Sequence, residues 1–63
     1  MNEESYVTTV PGMCGSWCAV VMIYNEREGG YVMDRSRMTK YCSKLEAERL
    51  ADKLAFNENL EVR

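Results

Sequence analysis

Histidine is missing from the chain altogether. With it goes the side chain most often used as a general base near neutral pH and as a metal ligand. A cysteine nucleophile therefore has no imidazole to activate it. A zinc site would need all three thiols, Cys14, Cys18 and Cys42, plus a carboxylate or a second chain. Three residues separate Cys14 from Cys18, not the two typical of zinc knuckles and redox motifs. An odd cysteine count also argues against a disulfide framework, so small reduced residues of the core or a sheet edge are expected, with no metal and no cofactor. Cys14, between Gly12 and Gly15, reads as an exposed thiol without a base. No glycine-rich phosphate loop is present, and the carboxylates Glu26 and Glu28 flank Arg27 in a solvated loop. We expect no enzyme.

Long apolar runs are absent too, none approaching the ~18 residues that span a bilayer, so no membrane association is expected. Positions 1–4 are acidic where a secretory signal would be basic, and they read as a frayed terminus. The expectation is a cytoplasmic protein. A basic excess is lacking as well: the formal net charge is -2, which gives nonspecific attraction to nucleic acid no global support.

What the chain does have is one apolar run, Trp17 to Tyr24, whose Val, Ile, Trp and Tyr content marks a strand. Side chains alternate across a strand, so Trp17, Ala19, Val21 and Ile23 share one face, and Cys18, Val20, Met22 and Tyr24 the other. Both sets are apolar. A half-buried strand needs only one.

Around this run, positions 5–10 read as a first strand, and Pro11-Gly12 as a tight turn with Gly12 supplying φ > 0. Asn25 to Gly30 is a hairpin loop in which the Gly-Gly pair takes left-handed geometry. Positions 31–38 form the third strand, although alternation weakens through Arg35-Ser36-Arg37, which fits an edge strand or a turn. Met38 to Cys42 is either its continuation or a short fourth strand. Ser43-Lys44-Leu45-Glu46 is a capping box, and a helix follows over about 44–56 with Asn57 as its left-handed stop. Its apolar face is Ala47, Leu50, Ala51, Leu54 and Ala55. Leu45 and Phe56 lie opposite and are expected to touch the preceding strand and the C-terminal tail. The tail, 58–63, alternates and is expected to add a short strand.

The fold expected is α+β: a three- to four-stranded antiparallel sheet with one C-terminal helix packed on one face. With 63 residues it is a single domain with a thin core. The helix covers one side of the central strand, leaving Cys18, Val20, Met22 and Tyr24, with Tyr6, Tyr31 and Met33, as a protein-binding patch or a homodimer face. The alternative is a nucleic-acid interface on Arg35, Arg37 and Lys40, with Tyr31 and Tyr41 stacking on bases. A third reading is a homo-oligomeric structural or assembly protein.

The Trp-led strand, the Gly-Gly hairpin, the next strand and Cys42-Ser43-Lys44-Leu45-Glu46-Ala47-Glu48-Arg49-Leu50-Ala51 resemble small sheet-plus-helix proteins of phages and mobile elements. Anti-CRISPR inhibitors are among them. The resemblance implies stoichiometric inhibition of a host defence complex in the host cytoplasm. It transfers no site residue.

Overall fold

The structure is a computed structural model that describes residues 5–63; the expectation for positions 1–4 lies outside the described residues. Strands β1 (Tyr6–Pro11), β2 (Trp17–Asn25) and β3 (Gly30–Met38) form an antiparallel sheet in that order, followed by helix α1 (Lys44–Glu58). The arrangement is α+β, with the helix lying across β1 and β2.

The register assigns each side chain its face. Val7 pairs with Val21 and Thr9 with Ala19, while Tyr6 pairs with Met22, Thr8 with Val20 and Val10 with Cys18. Val7, Ala19 and Val21 form the sheet half of the core against Ala51 and Ala55, and Ile23, Leu50, Leu54 and Leu60 pack around them. Alanines at the helix surface let its axis approach the sheet closely. The largest fully buried side chains are only Val7, Val20, Val21 and Cys18. Such a core is thin, and each buried valine contributes roughly 1.5–3 kcal/mol.

Both turns differ from expectation in the glycine that matters. At the first, Gly12 is extended (φ -118°), and the left-handed residues are Cys14 (φ 57°) and Gly15 (φ 74°). Gly12 is needed for space. A Cβ there would lie 2.5 Å from Cε1 of Tyr41. At the second turn only Gly29 of the glycine pair is left-handed (φ 72°). Its N–H donates to the Asn25 carbonyl, and the Asn25 side chain accepts from the Glu28 N–H. Gly30 simply pairs with Asn25 as the first residue of β3.

The ambiguous segment after Asp34 is neither a plain edge strand nor a free turn. Val21 pairs with Asp34 but Val20 pairs with Met38, so residues 35–37 bulge out of β3. Asp34 Oδ1 organises the bulge by accepting from the Ser36 N–H and hydroxyl. Beyond it the chain stays beside β2: the Thr39 N–H donates to the Ala19 carbonyl, and Trp17 bridges Cys42. The sheet is three-stranded, and 38–42 prolongs its third strand as a ragged edge.

Ser43 caps α1, its hydroxyl accepting from the Glu46 N–H at 3.1 Å. The helix passes the expected stop at Asn57 and ends at Asn59, which is left-handed (φ 60°, ψ 45°). The Leu60 N–H donates to the Ala55 carbonyl and the Asn59 N–H to that of Phe56, a Schellman closure. The reason is packing. Reversal at Asn59 puts Leu60 against the core, whereas reversal at Asn57 would put Glu58 near that position.

The tail then runs beside β1, with Val62 bridging Val7 in parallel sense and the Val7 N–H donating to the Glu61 carbonyl. The short strand expected there is one bridge. Among the described residues nothing covers Leu45 and Phe56, which are 66% and 86% exposed. The preceding strand and the tail both meet the sheet, which leaves the outer side of α1 bare.

Candidate functional site

The sheet face opposite α1 carries every residue expected in the protein-binding patch, and the structure divides them into two groups. Cys18 and Val20 are fully buried, so they lie beneath the surface and not on it. Val20 is flanked by Thr8 and Met38, which the bulge brings into register, and Cys18 by Val10. Tyr41, expected beside the basic segment, instead lies against Gly12 and next to Cys18. Burial pushes the Cys18 thiol above its ordinary pKa; the nearby Tyr41 hydroxyl opposes this and Cys42 reinforces it.

Met22, Tyr24, Tyr31 and Met33 form the other group and are half-buried. They are brought together by the β2–β3 pairing, Met22 with Met33 and Tyr24 with Tyr31. Tyr6 joins them through its pairing with Met22. The three tyrosines interlock edge to face: Tyr31 lies 4.9 Å from Tyr6 and 5.5 Å from Tyr24, centroid to centroid. Such contacts contribute roughly 0.5–1.5 kcal/mol each beyond area burial and hold the rings in fixed orientations. Among the described residues, no helix or second sheet packs over this group.

Arg63 was not anticipated here. Its guanidinium stands 4.8 Å from the Tyr6 ring centroid and its Nε donates to Glu61 at 2.6 Å. Glu61, and to a lesser degree Tyr31, raise its pKa further. Alternation in the tail was the available signal: once Val62 meets Val7, Glu61 and Arg63 fall on the tyrosine side. No sequence pattern marked Tyr41 as the residue that lies against Gly12 and Cys18.

The basic residues do not converge. Arg37 donates to Asp34 at 2.7 Å and to Glu58 at 2.8 Å, which ties β3 to the end of α1. Glu58 and then Asp34 raise its pKa. Arg35 and Lys40 are exposed and make no salt bridge among the described residues; Arg35 lies in the bulge and Lys40 beyond it, past Met38, where the chain rejoins β2. The shared direction expected for 35 and 37 required an unbroken strand, which the bulge removes.

Cys14 is exposed at the first turn, Cys18 buried and Cys42 half-buried, and all three are free thiols. Among the described residues, no three His, Cys, Asp or Glu side chains cluster as a metal site would require, and no pocket is enclosed. Among the described residues, no helix is long and apolar enough to cross a membrane. No protein-family model matches the chain, and no match was found to a curated protein or a solved structure.

Proposed function

We propose that this protein acts by stoichiometric binding of another protein, without turnover, through the open end of the sheet face. The observation that supports this reading is the half-buried cluster of Tyr6, Met22, Tyr24, Tyr31 and Met33, over which no helix or second sheet packs among the described residues. Tyrosine and methionine are enriched where proteins meet. Rings already locked edge to face lose little freedom on docking, which favours affinity. Arg63 at the margin supplies a charged rim beside the apolar centre. In its sharper form the partner is a host defence complex and the protein is a phage-type inhibitor acting in the host cytoplasm. Support for that form comes from the resemblance of the strand–hairpin–strand–helix sequence alone. Nucleic-acid binding has weaker support, because Arg37 is already committed to two carboxylates.

The test is affinity capture from host lysate with the tagged chain and two variants. Capture of one assembly in near-equal stoichiometry, lost in Met33→Asp and kept in Phe56→Lys, is the expected result. Capture unchanged by Met33→Asp, with a native circular dichroism spectrum, overturns the proposal. So does a wild-type chain that captures nothing.

A further inference from the structure

The bare side of α1 carries a pattern of its own. Leu45, Arg49, Asp52 and Phe56 recur at spacings of four, three and four. In a helix of 3.6 residues per turn these positions fall within about 60° of one another, on the side away from Ala47, Ala51 and Ala55. All four are exposed, Leu45 at 66% and Phe56 at 86%. Neither Arg49 nor Asp52 makes a salt bridge among the described residues. The stripe is apolar at both ends and charged with opposite signs in the middle.

We infer that this stripe is the contact surface for a second copy of the chain, with the two α1 helices packed antiparallel. The order of residues selects that partner and that orientation. A twofold axis passing between Leu50 and Ala51 sets Leu45 against Phe56 of the second copy and Arg49 against its Asp52. Symmetry repeats both pairings, so each dimer has two apolar end contacts and two central ion pairs. The spacing is that of the a and d positions of a two-helix seam, in which a meets d when the helices run in opposite directions. On one flank, Glu46 faces Lys53 of the second copy, again with opposite charge. A parallel pair would instead set Arg49 on Arg49 and Asp52 on Asp52. Self-complementarity of this kind is the requirement for an isologous interface. The surface is distinct from the tyrosine–methionine face, so binding of a foreign protein and dimerisation are compatible.

One side of a single 15-residue helix is a smaller area than the ~800 Å² per partner of standard stable interfaces. Dimerisation is therefore concentration-dependent, with a dissociation constant of order 10–1,000 μM. Sedimentation equilibrium of the full chain from about 5 μM to 2 mM, spanning that range, reads it directly. The expected result is a monomer–dimer equilibrium weakened about tenfold or more by Phe56→Lys, at unchanged helicity. Arg49→Asp alone places Asp on Asp and weakens it about tenfold, and the exchange Arg49→Asp with Asp52→Arg restores it to within about threefold. A monomer throughout the range overturns the inference. So does a dimer that is broken by Met33→Asp but not by Phe56→Lys, or one that the charge exchange fails to restore.

Discussion

The two ends of the sheet face opposite the helix are built from similar residues and meet different fates. At one end Cys18 and Val20 are sealed; at the other Met22, Tyr24, Tyr31 and Met33 stay half-open. Apolar alternation along β2 is the same throughout. The difference lies in the neighbouring chain. Next to Val20 the bulge at 35–37 brings Met38 into register, and the segment after it carries Tyr41 back to Gly12 and Cys18. Next to Tyr24 the hairpin closes at once, and among the described residues only the Arg63 side chain comes back to this end, over Tyr6. An apolar face is core or surface according to what the chain does after it.

The largest effect expected from this contrast is that of a charge at each end. Val20→Asp buries a carboxylate with no partner and costs about 4 kcal/mol or more. A chain of 63 residues has only about 3–9 kcal/mol of stability, so the variant should lose about half of it or more, read as a large fall of the urea midpoint or loss of the transition. Met33→Asp should stay within about 1 kcal/mol of wild type, because its site is half-open. Equal losses at the two sites would abolish the distinction.

A smaller effect tests the order of the open end. Tyr31→Ala removes both ring contacts, with Tyr6 and with Tyr24. It should cost about 2 kcal/mol in urea denaturation. A cost near zero would mean that the rings are not fixed before binding.

Opening the sealed end should cost less. In Gly12→Ala the new methyl displaces the half-exposed Tyr41 ring and the Ser16 hydroxyl, which would lie 2.8 Å from it, at about 1 kcal/mol or more. The readout is thiol modification followed by mass spectrometry. In the wild type Cys14 reacts first and Cys18 last, since Cys18 is both buried and raised in pKa. Gly12→Ala should accelerate Cys18 selectively.

The smallest effect concerns the bulge that divides the two ends. The Ser36 hydroxyl, then Arg37 and the Ser36 N–H hold the Asp34 carboxyl below its ordinary pKa. A carboxyl lowered by folding stabilises the native state above its unfolded pKa, and the contribution fades as pH falls through the folded value. Thermal melts should therefore weaken below about pH 4, and Asp34→Asn should flatten part of that decline while lowering stability near neutrality. An acid limb identical in the variant would remove Asp34 from the account.

Much of the fold was legible because it rests on local rules. The central strand, the hairpin at Gly29, the Ser43 cap and the alanine face of α1 each follow from residue type and period. Of the candidate patch, Met22, Tyr24, Tyr31 and Met33 were assigned to one face correctly, since strand alternation and antiparallel pairing determine that. Burial of Cys18 and Val20 was not legible, because it depends on a bulge and on a tyrosine two dozen residues away. Nor was the direction of Arg37, which the same bulge turns towards Glu58. The helix stop moved from Asn57 to Asn59 because Leu60 had a place in the core. Leu45 and Phe56 stayed bare because, among the described residues, the preceding strand and the tail are both engaged with the sheet.

The amino-acid sequence by itself determined that the chain makes an α+β domain with an apolar strand at its centre and one helix to cover it. It also placed Leu45, Arg49, Asp52 and Phe56 on one side of the helix, while the tertiary structure left that side exposed. Those properties depend on period and on neighbours a few residues apart. Only the tertiary structure decided which half of the second face is sealed, which arginine is neutralised and where the tail lies. Each of those depends on contacts between distant segments, and strand and helix periods carry no information about them.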